Sequence, residues 1–119
     1  MTYDLDGRIF RSIGNTGNGE VDSETRFHYR QAGDVVTATY RGGSIVEGHL
    51  IAKVLPGGVL DMRYHHVNDR GELMIGTCRS TPECLPDGRL RFHEDWQWLS
   101  GDRSSGRSVI EEVANETEA

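Results

Sequence analysis

The sequence predicts an all-β fold, a single small antiparallel meander of about eight strands curled into a barrel. Three observations carry this prediction. Turn-forming residues recur at short intervals along the chain, and the segments between them alternate apolar with polar side chains. No segment has the apolar spacing of a helix, so a parallel βαβ topology has no crossover to use. Composition agrees: 35% hydrophobic residues and 15 glycines in 119 residues suit short strands and many turns around a modest core.

The elements follow in order. Asp6-Gly7 opens a strand over Arg8 to Ile13, closed by the glycine-rich stretch Gly14-Asn15-Thr16-Gly17-Asn18-Gly19. Thr25 to Gln31 comes next, with Phe27 and Tyr29 on the inward face, then a turn at Gly33-Asp34. Val35 to Tyr40 points Val36, Ala38 and Tyr40 inward and ends at Gly42-Gly43. Ser44 to Leu55 follows, with Val46, Gly48 and Leu50 as its inward set, and Pro56-Gly57-Gly58 turns the chain. In Val59 to Val67 the inward set is Leu60, Met62, Tyr64 and His66, leaving Asp61, Arg63 and His65 outside.

After the turn Asn68-Asp69-Arg70-Gly71, the strand Glu72 to Ser80 accepts either parity, since Leu73, Ile75 and Thr77 compete with Met74, Gly76 and Cys78. Pro86-Asp87-Gly88 leads into Arg89 to Leu99, the clearest alternation in the chain. Leu90, Phe92, Glu94, Trp96 and Trp98 share the inward face, opposite Arg89, Arg91, His93, Asp95 and Gln97. Ser100 to Gly106 turns into the last strand, Arg107 to Val113, where Glu111 alternates with Val109 and Val113 and so faces inward near the seam, unless the apolar Ile110 claims that face instead. The barrel domain therefore spans residues 1–113, followed by a frayed acidic tail over 114–119. Pairing the last strand with the first would leave no exposed edge.

Charge and composition exclude several classes. A net charge of −6 and a pI near 5.3 disfavour a phosphate-backbone partner, so no nucleic acid is expected. Lys53 is the sole lysine, and the arginines read as a solvated surface, with Arg63 and Arg79 in cross-strand ion pairs. There is no apolar run long enough to span a membrane and no signal-peptide core in Met1 to Phe10, which predicts a soluble, cytoplasmic protein without a membrane partner. Cys78 and Cys84 leave at most one bridge, and two idle thiols are the simpler expectation. Self-association stays open.

Several stretches belong together as a set: Gly17-Asn18-Gly19-Glu20-Val21, Phe27-His28-Tyr29-Arg30-Gln31, Gly48-His49-Leu50-Ile51, Met62-Arg63-Tyr64-His65, Gly71-Glu72-Leu73-Met74, and Glu94-Asp95-Trp96-Gln97-Trp98 before Ser100-Gly101-Asp102. Over most of its length the chain resembles a family of short bacterial proteins, some of whose members carry the label N-acetylglutamate synthase. Acetyl transfer from acetyl-CoA, which that label implies, needs a loop of backbone N–H groups opening into a helix to cradle pyrophosphate. The nearest segment, Arg103-Ser104-Ser105-Gly106-Arg107-Ser108, ends in serine and runs into a strand, so acetyltransferase chemistry is not expected.

Glu94 is the most informative candidate, because parity sets its carboxylate beside Phe92, Trp96 and Trp98, where it must be paired, hydrogen-bonded or protonated. His66, with Tyr64, Tyr29 and Glu94, can build a polar cluster inside the barrel in which a neutral imidazole serves as base or hydrogen-bond partner. Trp96 and Trp98 offer a flat wall for a planar ligand, or simply core. The histidines lack metal spacing, since the adjacent His65 and His66 face opposite ways, so no metal and no cofactor are called for. Cys78 reads as inert, and the Gly14 to Gly19 loop as a lid or a plain turn.

The reading that results is a barrel of avidin or lipocalin type that binds a small, partly planar organic ligand. Phe27, Tyr29, Trp96 and Trp98 supply its walls, and Tyr64, His66 and Glu94 its polar contacts. One alternative is a small barrel enzyme, an isomerase, cyclase or hydrolase with Glu94 and His66 as the catalytic acid and base. Another is a packed structural or interaction module in which Glu94 meets an internal partner.

Overall fold

The computed structural model describes residues 3–114 as an eight-stranded antiparallel barrel, closed in the order β1 to β8 with β8 returning to β1. The strands are β1 (Ile9–Asn15), β2 (Arg26–Ala32), β3 (Val35–Gly42), β4 (Ile45–Val54), β5 (Leu60–Asn68), β6 (Leu73–Cys84), β7 (Leu90–Trp98) and β8 (Ser105–Glu112), with one 3-10 turn at Pro56–Gly58. Of the predicted acidic tail, all but Ala114 lies outside the described residues. No helix among them is long and apolar enough to cross a membrane.

Alternation decides which side chains enter the barrel. Phe27, Tyr29, Val36, Ala38, Tyr40, Leu50, Leu60, Met62, Leu90, Phe92, Trp96 and Trp98 are buried, as their parity predicts. The open register of β6 resolves with Met74, Gly76, Cys78 and Ser80 facing in, while Leu73 is 71% exposed. One parity differs from expectation. The β4–β5 ladder slips between Ile45 and Glu47, so Ile45 turns inward and Val46 is 57% exposed. A bulge inserts one residue and reverses the alternation on one side of it, which a strictly two-residue repeat cannot anticipate.

In β8 the parity that the sequence leaves open is settled by Ile110. Ser108 and Ile110 take the inward face of β8, and Glu111 points outward to bond Arg91 Nη2 at 2.7 Å and Arg89 Nη1 at 3.0 Å. Two guanidiniums on the outer surface solvate the carboxylate at far lower cost than the core would, while Ile110 gains by burial. On the same outer surface Arg63 reaches Asp61 at 2.9 Å and Arg79 lies 3.9 Å from it.

The two ends of the barrel differ. One is filled by Leu5, Phe10, Leu60, Leu90, Phe92 and Ile110, all fully or almost fully buried, with Tyr3 edge-on to Phe92 and its hydroxyl bonded to the carbonyl of Gly58. The other end carries the turns between β3 and β4, β5 and β6, and β7 and β8, and the long β1–β2 loop crosses it.

Candidate functional site

Beneath that loop lies a cavity of about 50 Å³, walled by Phe27, Tyr40, Leu50, Met62, Tyr64, Trp96 and Trp98, with His66, Cys78, Glu94 and Ser108 among them. Its wall has a repeated construction. Tyr40 pairs across strands with Gly48, Tyr64 with Gly76 and Trp96 with Gly106, each aromatic directly opposite an inward glycine. A methyl group on Gly48 would stand 2.5 Å from the Tyr40 ring, and one on Gly76 would stand 2.2 Å from Tyr64 Oη. The glycines leave room for rings that lie across the neighbouring strand instead of standing upright, and that places aromatic surface around a central space.

At the cavity wall Glu94 accepts hydrogen bonds on both oxygens, from Ser80 Oγ at 2.7 Å and Ser108 Oγ at 3.0 Å. Burial nevertheless raises its pKa, because two neutral hydroxyls do not replace the hydration of a carboxylate. Cys78 packs against Ser80, Sγ to Oγ 3.6 Å, and its thiol is pushed far up by burial and then by the charge of Glu94, so it stays protonated and is no nucleophile. Cys84 lies six residues along β6, about 20 Å away in extended chain, beyond the reach of a bridge to Cys78.

His66 sits at the mouth, its Nδ1 2.9 Å from Tyr40 Oη and its Nε2 2.8 Å from Glu20 Oε1. Burial lowers its pKa and so favours the neutral imidazole, against the opposing pull of Glu20. A carboxylate only accepts, so Nε2–H donates to Glu20 and Tyr40 donates to Nδ1. Glu20 also accepts from Asn68 Nδ2 at 3.1 Å and from Arg70 Nη2 at 2.9 Å.

The β1–β2 loop is fastened to every hairpin at this end. Ser44 donates to the carbonyl of Glu20, Asn18 donates to Ser104 Oγ and to the carbonyl of Ser105, and Trp98 Nε1 donates to the carbonyl of Asn18. Asn15 joins it from β1, receiving the Trp96 indole N–H at 3.2 Å. Gly19, Glu20 and Val21 thereby become part of the cavity lining.

Of the residues singled out in the sequence, Phe27, Tyr64, His66, Glu94, Trp96 and Trp98 line this one cavity. Tyr29 does not. It lies deeper, tilted against Phe10 at 4.9 Å, with its hydroxyl buried and without a hydrogen-bond partner among the described residues. The predicted cluster of His66, Tyr64, Tyr29 and Glu94 is replaced by His66, Tyr40 and Glu20, and Glu94 instead meets two serines. Glu20, Ser80 and Ser108 went unmarked because a loop residue has no parity and serine carries no pattern of its own. The remaining histidines, His28, His49, His65 and His93, lie outside the cavity lining: His49 and His65 stack on the outer surface at 5.9 Å, and His93 bonds Glu83. No group of three or more His, Cys, Asp or Glu converges among the described residues. Arg103 to Ser108 forms the end of a turn and the start of β8, not the mouth of a helix.

A family model described as Avidin-like protein matches residues 3–113 of this chain. No curated protein and no solved structure matches it.

Proposed function

The chain belongs to the avidin-like protein family, and from that premise we propose that its barrel binds a small, partly planar organic ligand in the cavity under the β1–β2 loop. The observation that carries this reading is the cavity wall itself. Phe27, Tyr40, Tyr64, Trp96 and Trp98 surround a space whose lining also carries the acids Glu94 and Glu20. Apolar walls with a few convergent polar groups are what small-ligand sites require.

A thermal-shift screen against a metabolite library that includes acetyl-CoA and glutamate, run on wild type and Glu94→Gln in parallel, tests the reading. A ligand that binds only the folded barrel raises its melting temperature. The expected result is a compound that stabilises wild type and stabilises the variant much less, each measured against its own unliganded form. A library without any stabilising compound would count against the binding role.

A second reading has its own support. Glu94, inclined to hold a proton, and His66, inclined to lose one, line the same cavity, which is the protonation pattern of an acid and base pair. Assaying the stabilising compound for turnover decides between binding and catalysis.

A further inference from the structure

Glu94 is the acid of the cavity that no cation among the described residues answers. Its oxygens meet only Ser80 and Ser108, and no lysine or arginine is among the lining residues. Glu20, the other acid of the lining, is different, since Arg70 meets it from outside the mouth at 2.9 Å. His66 adds no positive charge, as its Nε2–H serves Glu20 and burial favours its neutral form. Each hydroxyl occupies one lone pair of an oxygen and leaves the others free, and neither cancels the charge, so without a cation the buried group is inclined to hold a proton.

Several aromatic rings line the same cavity as this carboxylate. Trp96 and Trp98 lie 5.4 Å apart, Tyr64 is edge-on to Trp98 at 5.9 Å, and Tyr40 stacks on Phe27 at 4.9 Å. Aromatic faces attract cations through the ring quadrupole, most strongly once water is excluded. Carboxylate and rings therefore favour one kind of guest and repel anions.

We propose that the ligand of this cavity is a small planar cation, an amidinium, a guanidinium or a protonated heteroaromatic nitrogen, with its N–H groups donating to Glu94 and its plane against Trp96 or Trp98. This rests on the reading of the barrel as a binding protein and narrows it to a charge class. The cavity of about 50 Å³ admits only a compact group. Binding supplies the counter-ion that the fold leaves out, so a neutral molecule of the same shape gains the stacking and loses the charge pairing.

The chain has two tryptophans, Trp96 and Trp98, and both line the cavity, so intrinsic fluorescence reports its occupancy directly. Three probes of one shape separate the contributions: benzamidinium, neutral benzamide and anionic benzoate, each titrated into the full chain at millimolar concentrations. The expected result is a saturable change with benzamidinium at least about tenfold tighter than with benzamide, and none with benzoate, the preference disappearing in Glu94→Gln. Benzamide or benzoate binding as tightly as benzamidinium, or a cation preference that survives Glu94→Gln, overturns the charge class and leaves the ligand-binding reading standing. Silence from all three probes overturns the charge class, and the ligand-binding reading is then decided by the metabolite-library screen. The comparison of probes needs wild type alone, so it decides the matter even if the variant fails to fold.

Discussion

Two side chains inside the barrel are held at a cost to stability, and each makes a prediction. Glu94 has its pKa raised by burial, so the folded chain holds that proton more readily than the unfolded one. Its ionisation therefore subtracts stability above the raised value, and the loss fades as pH falls through it toward the ordinary carboxylate range. Glu111 acts oppositely: Arg91 and then Arg89 hold its pKa down, so its contribution is present above the ordinary value and disappears as pH falls through the lowered one. Comparing wild type with Glu94→Gln isolates the first effect, since both retain Glu111. As pH is lowered from neutral, wild type should gain melting temperature relative to the variant, and parallel curves would show that burial of Glu94 carries no such penalty. Tyr29 is the second case, its hydroxyl buried without a partner. Removing an unsatisfied donor leaves nothing orphaned, so Tyr29→Phe should leave stability unchanged or raise it by up to about 1 kcal/mol in chemical denaturation. A clear loss would mean that the hydroxyl is bonded in solution.

Among the strands, the paired aromatic and glycine residues do the most to shape the site. Because Gly76 lies under the Tyr64 ring, Gly76→Ala forces that ring toward the cavity, at an expected cost of about 1–3 kcal/mol in urea unfolding and with weaker ligand binding. A variant as stable as wild type would mean that the ring moves freely. Strand positions and most inward faces were legible in the sequence because a two-residue alternation is a local property, and β7 from Leu90 to Trp98 displays it almost without interruption. Val46 and Glu111 were not, for separate reasons. A bulge at Ile45 depends on the partner strand's register, and the outward choice of Glu111 depends on two arginines of β7 and its approach that only closure brings near. Glycine at 48, 76 and 106 was visible as a residue type, but its meaning lay in which ring stood opposite, a fact of register.

For the barrel as a whole, closure removes every free edge, yet the joints are unequal. β1 meets β2 only through the pairs Ile9/His28, Phe10/Phe27 and Arg11/Arg26, whereas β4, β5 and β6 are paired along most of their lengths. Beyond Arg11 the first strand remains bonded to β8 alone, with a bulge between Ser12 and Gly14. The side facing β2 is bridged there by the loop, through Asn15 Nδ2 to the carbonyl of Val21. The same loop covers the cavity and is fastened chiefly by side chains, so it and the adjoining half of β1 form the part of the molecule that opens at least cost. Hydrogen exchange measured peptide by peptide should find residues 16–25 fastest among the loops that touch the cavity, the second half of β1 intermediate, and β4 to β6 slowest. A ligand held beneath the loop must wait for it to open, so occupancy should slow exchange over residues 16–25 while changing β4 to β6 little. Slowing confined to the outer turns at the opposite end would place the ligand elsewhere and remove the loop from the path of entry.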